Sequence, residues 1–441
     1  MVAGLVSLVA LGAVNGAAPS SSLSSENHLI ATTESESSPT AFSSYSSNSI
    51  TTTNLQSVSA TSTVRSPNIC TNQQENLLAG NRSDLVLVGG QNGTWFTPSQ
   101  FPRLYAIILA NETANELAVV PSEGTVWGGG TNGTEYLVTG WGNCDDPIST
   151  NPFLEFVTND SISYGALGSA ERDWMGGDIF SVSSNGSHWL LVGMGSGYDP
   201  VPTKYGKYHV PMRTNHFSVG MYNGNETVDL TGNLPTQAKG ILYACANNGS
   251  TWLLGGGYEQ LGKLYSFNGR TFTDLTTRIR AAVPSFQSVQ SIAWNGKYWL
   301  IGGVGFLAEY ENQTFTNLTK ELNATLLPTS KLVGMNAVNS ISWNGSSWLV
   351  GGGAPVGIER QSSAWLATLS SGRFEDLTPQ MIESLNYPET TSDILSISNT
   401  HSSWVVGGYD GDKAILLRVD NGTPVNLSNL LGDMHYVDWV G

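Results

Sequence analysis

One stretch of the sequence, Met194–Asn215, collects side chains that can bind an anionic or sugar-like group. Three of the 19 Lys and Arg residues in this 441-residue chain lie there, among Tyr, Asp and His residues. Charge-assisted hydrogen bonds and ring stacking from such a set can hold a carboxylate, a sulfate or a sugar. The alternative is an ordinary surface loop solubilised by its charges. The candidate ligand-binding residues in this stretch are Tyr198, Asp199, Lys204, Lys207, His209 and Arg213.

Two further clusters contain carboxylates. Glu171, Arg172 and Asp173 follow one another before a predicted strand, and they either bind ligand at the centre of the fold or pair within their loop. Asp145 and Asp146 are either an acid–base pair or solvated carboxylates. A glycan hydrolase or lyase needs two carboxyl groups about 5–10 Å apart. The candidates for that role are Asp145, Asp146, Glu171, Asp173 and Asp199.

The remaining sequence signals do not indicate catalysis. The six His residues show no paired spacing for a metal, and no Gly-x-Ser-x-Gly elbow, phosphate-binding loop or Cys-x-x-Cys motif occurs. Asp410-Gly-Asp412 lacks the further ligands of a calcium loop and indicates a tight turn. We therefore expect no metal and no cofactor, assign no catalytic residue, and expect a binding protein more than an enzyme.

The charge balance argues against nucleic acid as a partner. The chain has 35 Asp and Glu against 19 Lys and Arg, a formal net charge of −16. A nucleic-acid-binding surface needs a basic patch that displaces counterions from the phosphates, and no such run of residues occurs. Charged residues make up only 12%, whereas Gly numbers 50 and Trp 13, a composition typical of short strands and tight turns.

The first 67 residues predict an export signal and a stalk. Residues 1–17 are an apolar segment ending in small residues, which predicts a cleaved signal peptide or a retained N-terminal anchor. Between Ala18 and Ser66, 25 of 49 residues are Ser or Thr, so this part lacks the apolar surface needed to fold. We expect residues 18–67 to form a Ser/Thr-rich stalk, O-glycosylated or unmodified, and residues 68–441 to form the folded domain.

A repeat fills the rest of the chain. Ser291–Gly303 and Ser340–Gly352 show it best, because two runs of β-forming residues flank Asn-Gly, which favours a type I′ hairpin turn. Most units then carry a Gly-Gly pair, from which we expect a change of chain direction, and two further strands. The anchoring aromatic residues, at intervals of 53, 63, 47, 49 and 56 residues, are Tyr136, Trp189, Trp252, Trp299, Trp348 and Trp404.

The two ends of the repeat region complement each other. His435–Gly441 matches a first strand without its second, and Asp84–Gly90 matches a second strand without its first. Pairing them completes a seventh unit and closes the ring without a free edge. The sequence therefore predicts an all-β, seven-bladed β-propeller of four-stranded antiparallel blades, a monomeric disc closed by the C-terminal strand.

Some units resemble the kelch repeat. Gly255-Gly256, Tyr265 and Phe272 match its double glycine, its tyrosine and a later bulky aromatic residue, although the final kelch Trp is Phe here. The resemblance implies a propeller that serves mainly as a binding scaffold. Some kelch-like proteins are oxidases, but this chain offers no suitable Tyr, His and Cys set for copper. The pattern recurs at Gly302, Gly303, Tyr310 and Phe315.

Asn-x-Ser/Thr sequons concentrate on one face of the predicted disc. Turns joining first to second and third to fourth strands share this sequon face, which holds ten of the fourteen sequons. They are either glycan acceptors of an exported protein or hairpin turns that select Asn-Gly anyway. The stalk enters here, so the opposite long-loop face is expected to point outward. The ten asparagines are Asn81, Asn111, Asn132, Asn159, Asn185, Asn225, Asn248, Asn312, Asn344 and Asn421.

Two of the three cysteines can form a disulfide outside the cell. Cys70 and Cys144 are that pair, whereas Cys245 lies in an apolar run and is expected in the core. Together these features predict an extracellular module, secreted or anchored by its N-terminus, whose long-loop face binds a glycan or a surface protein. The alternative is an extracellular glycan hydrolase or lyase with carboxylates at the propeller mouth.

Overall fold

The structure is a computed structural model that describes most of the chain between residues 84 and 441. No helix among the described residues is long and apolar enough to cross a membrane. The described ranges are 84–92, 101–117, 123–143, 151–158, 161–165, 167, 177–199, 212–236, 239–258, 261–326, 337–353, 364–386, 392–400, 403–411 and 413–441.

The described residues form seven four-stranded antiparallel sheets. Strands β4–β7, β8–β11, β12–β15, β16–β19, β20–β23 and β24–β27 form blades 1 to 6, and β28 joins β1–β3 in blade 7. First strands of neighbouring blades contact one another all the way round and form the innermost ring, which confirms the predicted propeller. In chain order the strands are β1 (Leu85–Asn92), β2 (Phe101–Ile108), β3 (Thr113–Leu117), β4 (Glu123–Thr131), β5 (Tyr136–Asn143), β6 (Asn151–Val157), β7 (Ile162–Tyr164), β8 (Asp178–Ser184), β9 (Trp189–Asp199), β10 (Met212–Tyr222), β11 (Thr227–Asp229), β12 (Ile241–Asn247), β13 (Trp252–Tyr258), β14 (Leu261–Phe267), β15 (Phe272–Asp274), β16 (Val289–Trp294), β17 (Trp299–Gly303), β18 (Phe306–Glu311), β19 (Thr314–Asn317), β20 (Ser340–Trp343), β21 (Trp348–Gly352), β22 (Trp365–Ser370), β23 (Arg373–Asp376), β24 (Ser392–Asn399), β25 (Trp404–Asp410), β26 (Lys413–Asp420), β27 (Thr423–Asn426) and β28 (Tyr436–Val440).

Blade 7 closes the ring by pairing the two ends of the repeat region, as predicted. β28 runs antiparallel to β1, with Val440 opposite Val88 and Tyr436 opposite Gln91. Beyond the last strand, Leu87 and Gly441 exchange two backbone hydrogen bonds, each 2.9 Å long. The closure places β28 in the ring of first strands and completes the seventh blade.

Apolar clusters fill the interfaces between neighbouring blades, and the described residues form seven of them. Between blades 3 and 4, for example, Leu253 and Leu264 pack with Val289 and Ile301. Both faces of each sheet are covered, which explains why the strands are apolar on both faces. Each Leu or Val buried in this way contributes about 1.5–3 kcal/mol, so blade stacking stabilises the disc.

The paired glycines lie within β1, β13 and β25 and are the last two residues of β17 and β21, so the pair ends its strand as expected only in those two blades. A Cβ atom on Gly255 would lie 2.8 Å from the Cβ atom of Val289 in the next blade. A Cβ atom on Gly256 would meet the carbonyl oxygen of Ile241 in its own first strand. The first glycine therefore lets the next blade approach, and the second accommodates the first strand of its own blade. The pairs are Gly89-Gly90, Gly255-Gly256, Gly302-Gly303, Gly351-Gly352 and Gly407-Gly408.

A three-residue motif, Asp/Asn-Leu-Thr/Ser, follows the fourth strand of five blades. In blade 5 the Thr378 N–H donates to Asp376 Oδ1 at 2.8 Å, and the Thr378 hydroxyl accepts from the Leu366 N–H at 3.1 Å. Leu377 between them is buried. The motif thus anchors the start of the segment that leads to the next blade, and it does so by hydrogen bonds to the third strand. It occurs at 229–231, 274–276, 317–319, 376–378 and 426–428.

Three short helices, which the sequence analysis did not predict, begin at this motif. They are α1 (Thr276–Ala282), α2 (Thr319–Leu326) and α3 (Thr378–Leu385). Each buries apolar side chains against the blades, including Ile279 and Met381. They lie in the connections from one blade to the next and therefore belong to the long-loop face.

Serine hydroxyls join the first strands of neighbouring blades. The Ser340 hydroxyl of blade 5 accepts a hydrogen bond from the Ile397 N–H of blade 6 at 2.7 Å. Ser396 accepts in the same way from the Val440 N–H of blade 7 at 3.0 Å. A first strand has a ladder partner on one side only, so its other N–H groups need such acceptors.

Candidate functional site

The first strand of each blade carries one extra residue beside the propeller axis. In six blades the register between first and second strands shifts by one residue, which marks a β-bulge. Asn339 holds the same position in blade 5, because Val338 before it packs against Gly302 as Val289 packs against Gly255. We call the seven residues the axial ring: Trp127, Phe180, Tyr243, Gln290, Asn339, Leu395 and Asp438.

The side chains of the axial ring face the axis because both faces of every sheet are occupied. Side chains of a regular strand alternate between the two faces. The residues before the bulges, such as Val126 and Val289, lie in the apolar clusters between blades. A bulge adds a residue that belongs to neither face, so its side chain extends from the free inner edge. A propeller has its central channel along that edge.

Three neighbouring members of the axial ring form an aromatic arc. The ring centroids of Trp127 and Phe180 are 5.5 Å apart, and those of Phe180 and Tyr243 are 5.4 Å apart in an edge-on arrangement. All three side chains remain partly exposed. Burial nevertheless raises the pKa of the Tyr243 phenol to about 12, so this ring stays neutral. Blades 1 to 3 therefore carry contacting aromatic side chains at their axial-ring positions.

Asp438 is the acidic member of the axial ring. It is only 8% exposed, and neither carboxyl oxygen has a hydrogen-bond partner among the described residues. Burial raises the pKa of this carboxyl to about 8. The cause is the cost of placing a charge away from water with nothing to compensate it. Such a group is uncommon in a folded protein and indicates a ligand, a catalytic role or stored strain.

A second carboxyl, Asp393, lies in the neighbouring blade 6. Asn339 Nδ2 donates to Asp393 Oδ1 at 2.8 Å and to the Ile394 carbonyl oxygen at 3.2 Å. Burial raises the pKa of Asp393 to about 8, even though hydrogen bonds from Asn339 and from the Ile394 backbone lower it. We call Asp393 and Asp438 the axial acids. Blades 5 to 7 thus bring one amide and two carboxyl groups to the axis.

Two tyrosines lie close to the axial acids, and a buried glutamine pairs with one of them across β28 and β1. Tyr409 pairs with Asp393 across β24 and β25, and its ring centroid lies 4.9 Å from that of Tyr436. Burial raises the pKa of the Tyr409 phenol, and nearby acidic groups including Asp393 and Asp438 raise it further. Gln91, opposite Tyr436, is fully buried, and its Nε2 has no partner among the described residues. Polar atoms in need of a partner are therefore concentrated here.

This group of residues lies at the end of the axis that opens on the long-loop face. Asp393 and Tyr436 stand at the starts of β24 and β28, and Tyr409 stands near the end of β25. First strands begin and second strands end at that face, where the chain passes from second to third strands and between blades. Loops on a rigid scaffold are the usual place for binding.

The carboxylates proposed from the sequence do not include the axial acids. The signal that would have identified them is an Asp inside a first strand that is otherwise apolar, as in Ser392–Leu395 and Tyr436–Val440. Both faces of a blade are buried, so a carboxyl within its first strand has no solvated face to occupy. Of the two, Asp438 is the bulge residue at the axis, and Asp393 is bonded to Asn339 of the axial ring.

Most of Met194–Asn215 that the structure describes is strand rather than loop, so that part of the prediction was wrong. The β9–β10 ladder continues to Asp199 opposite Met212, with Tyr198 opposite Arg213. Continued pairing satisfies backbone groups that a loop would leave to water. The predicted residues outside the described ranges are Lys204, Lys207, His209, Glu171, Arg172, Asp173, Asp145 and Asp146.

Eight of the ten predicted glycan acceptors lie in described turns of the sequon face, and Asn81 and Asn159 lie outside the described residues. Asn185 Oδ1 accepts hydrogen bonds from the N–H groups of Ser187 at 3.0 Å and His188 at 2.9 Å. Asn295, which is not in a sequon, makes the same turn. Turn geometry alone therefore accounts for an Asn at these sites, and glycosylation stays a prediction.

Cys245, the cysteine that the structure describes, lies in the core as expected. Cys245 is buried beside Ser181, whose hydroxyl accepts from the Cys245 N–H at 3.2 Å. Burial raises the pKa of its thiol to about 12, so the thiol is unreactive. The proposed Cys70–Cys144 bridge lies outside the described residues.

Comparison with known proteins identifies no family for this chain. No protein-family model and no curated protein matches it. An acylaminoacyl peptidase in complex with Z-Gly-Gly-Phe-chloromethyl ketone is 10% identical, with coverage of 79% of this chain and 51% of its own and a TM-score of 0.45. Sqt1 from Chaetomium thermophilum is 11% identical, with coverage of 80% and 86% and a TM-score of 0.40.

A putative 6-phosphogluconolactonase from Bacteroides fragilis is 11% identical, with coverage of 81% of this chain and 98% of its own and a TM-score of 0.46. This chain spans about half the length of the acylaminoacyl peptidase. These similarities are too low to support an inference about function. The kelch resemblance therefore rests on the glycine and aromatic residues quoted for it.

Proposed function

We propose that this chain is an exported, surface-displayed binding module that takes its ligand at the axis, on the long-loop face. One observation carries the proposal: Asp438 is buried on the axial ring, and both of its carboxyl oxygens lack a partner among the described residues. A buried carboxyl without hydrogen bonds destabilises a fold. Groups of this kind cluster at functional sites, where a ligand supplies the missing contacts.

The composition around Asp438 supports a binding site. Asn339 and Asp393 come from two other blades and contribute polar atoms, and the aromatic arc comes from three further blades. A few convergent polar groups beside aromatic surface are typical of ligand sites. A site assembled from several blades is also rigid, because each side chain stands on a strand that is packed on both faces.

The sequence supports display outside the cell. Residues 1–17 have the pattern of an export signal or anchor, and residues 18–67 have that of a stalk. The ligand classes that fit this placement are a glycan or another surface protein, bound by a monomeric disc that touches the membrane only through an N-terminal anchor.

A second candidate function is hydrolysis or elimination on a glycan. The observation that favours it is the pKa of about 8 that burial gives to both Asp393 and Asp438. A carboxyl that holds its proton near neutral pH is suited to act as a general acid, and a second carboxyl in a neighbouring blade could act as base. Release of cleaved product would identify this function.

Binding of the full-length chain to arrays of glycans and of surface-protein peptides tests the proposal. We expect saturable binding that Asp438→Asn weakens at least about tenfold. Glu375→Gln is the matched control, because it removes a carboxylate from an exposed position of the outer strand β23. Equal binding by wild type and Asp438→Asn would contradict an axial site, and cleavage of an arrayed glycan would favour the enzyme.

A further variant tests the stretch that the sequence singled out. Replacing residues 200–211 with a short Gly-Ser turn removes Lys204, Lys207 and His209 but keeps the β9–β10 ladder. The axial proposal expects this variant to bind as wild type does. Loss of binding in this variant, with Asp438→Asn unaffected, would move the site from the axis to that loop.

A further inference from the structure

The innermost strands of the seven blades are acidic in composition. The seven first strands contain Glu123, Asp178, Asp393 and Asp438 and not one Lys, Arg or His. Burial is the first cause of the raised pKa of each axial acid, and no cation among the described residues acts on either. The electrostatic field at the axis therefore favours a positively charged partner.

The cations that the structure describes in ion pairs have their partners farther out on the blades. Arg103 of β2 contacts Glu116 and Asp433, each at 2.8 Å. Arg418 of β26 contacts Asp420 at 2.8 Å. These pairs are formed on second, third and fourth strands and in their connections. The axial acids have no such cation among the described residues.

The aromatic arc is an independent observation that points to the same ligand class. Trp127, Phe180 and Tyr243 lie on successive blades of the axial ring, partly exposed and in contact with one another. The face of an aromatic ring attracts an ammonium or guanidinium group, most strongly where water is excluded. Aromatic faces combined with a carboxyl group recognise an organic cation by charge and by its hydrocarbon surface.

We propose that the axial ring binds an organic cation, an alkylammonium or guanidinium group, with its charge at Asp438 and its hydrocarbon part against the aromatic arc. The inference rests on the proposed binding function and names the ligand chemistry of that same site. The cation can be a free small molecule or a Lys or Arg side chain of a protein ligand. In both cases it supplies the partner that both Asp438 oxygens lack among the described residues.

Other ligand classes fit the axis less well. An anion would meet two carboxyl groups and no described cation. An apolar ligand would leave the Asp438 oxygens without hydrogen bonds. No group of three or more His, Cys, Asp or Glu side chains converges among the described residues, as a metal ion would require. A neutral sugar can donate hydroxyl hydrogen bonds to Asp438 whether the carboxyl is ionised or protonated, so a sugar is the main competing outcome of the test.

Calorimetric titration of the full-length chain with matched probes tests the inference. The probes are tetramethylammonium, acetylarginine amide and acetylcitrulline amide, the last being the uncharged isostere of the second. We expect acetylarginine amide to bind at least about tenfold more tightly than acetylcitrulline amide. If tetramethylammonium also binds, a free organic cation is a sufficient ligand. If only acetylarginine amide binds, the cation comes from a side chain of a protein ligand.

Variants connect the preference to the site. Asp438→Asn should remove the preference for arginine over citrulline, and Glu375→Gln should keep it. Phe180→Leu, which removes the central ring of the aromatic arc, should weaken the binding of acetylarginine amide about twofold or more. Thermal unfolding of each variant confirms that it is folded.

Two outcomes would overturn the inference. They are equal binding of the arginine and citrulline probes, or a preference that persists in Asp438→Asn. If array binding depends on Asp438 while the two probes bind equally, the proposed binding function is supported and the proposed cation ligand is contradicted. If neither the arrays nor the probes bind, both proposals fail.

Discussion

Asn339 of blade 5 holds Asp393 of blade 6 through a hydrogen bond of 2.8 Å from its Nδ2 to Oδ1. The same Nδ2 donates to the Ile394 carbonyl oxygen at 3.2 Å, so one amide joins two neighbouring first strands. This bond is one of the forces that lower the pKa of Asp393 against the larger effect of burial. Asp438 has no such amide among the described residues, which makes the two axial acids different in environment.

Removal of that amide should destabilise the disc. We expect Asn339→Ala to lower the free energy of unfolding by about 1–2 kcal/mol near neutral pH, because the Asp393 carboxyl and the Ile394 carbonyl lose their donor. Urea unfolding of the full-length chain measures the change. Asn115→Ala, at an exposed position of β3, is the control and should change the stability by less than about 0.5 kcal/mol. Equal effects of the two substitutions would refute the bridging role of Asn339.

Asp438 should make the protein less stable as the pH rises. Its pKa is about 8 in the folded protein, compared with 3.8 ordinarily, so the unfolded chain releases the proton first. The stabilisation is complete below about pH 4 and is lost as the pH rises through about 8. We expect Asp438→Asn to be more stable than wild type by about 1–3 kcal/mol at about pH 8.5, and to differ little at about pH 4.

Urea unfolding of wild type and Asp438→Asn at the two pH values measures this difference. Glu375→Gln should follow wild type at both, since its carboxyl is exposed. Parallel pH profiles for wild type and Asp438→Asn would mean that the Asp438 carboxyl is solvated or paired in the folded protein, contrary to the structure.

Cation binding should strengthen as the pH rises. The groups that surround Asp438 are Asp393, Tyr409 and Tyr436, and burial keeps the Tyr409 phenol neutral by raising its pKa. Of these groups, only the axial acids change charge between about pH 6 and about pH 9. We expect the affinity for tetramethylammonium, which does not titrate, to rise about tenfold or more over that range. An affinity that does not change with pH would show that the probe binds away from these carboxyls.

The serine links between first strands should each contribute to stability. Ser340→Ala leaves the Ile397 N–H without its 2.7 Å acceptor at a buried position, and we expect a loss of about 1–3 kcal/mol in the free energy of unfolding. Ser346→Ala removes a hydroxyl from an exposed hairpin turn and should cost less than about 0.5 kcal/mol. Losses of the same size at both positions would show that Ser340 makes no special link.

The architecture could be predicted because its signals are local. Asn344-Gly345 and its counterparts mark hairpins, and the repeat of such hairpins gives the blades. The type I′ geometry expected of them was wrong, because Gly345 has a positive φ of 95° whereas Asn344 does not have a positive φ. The half-units at the two ends of the repeat region predicted the closure that β28 and β1 show. Turn chemistry and strand patterning are properties of a few consecutive residues, so a single sequence is enough to reveal them.

The axial site could not be predicted in the same way because it depends on pairs of strands. Asp438 faces the axis only because the β28–β1 ladder shifts by one residue, and a register shift is not visible in either strand alone. The role of Gly255 was misjudged for a similar reason, since it depends on Val289 in the next blade. The sequence analysis instead favoured charged residues in connections, where solvent exposure gives most charges no function.

A crystal structure of the full-length chain grown with acetylarginine amide would test the central claim most directly. The account predicts density for the guanidinium group within hydrogen-bond distance of the Asp438 carboxyl and over the ring of Phe180, on the long-loop side of the axis. An empty axis, or density for the probe on a surface loop or between outer strands, would contradict it.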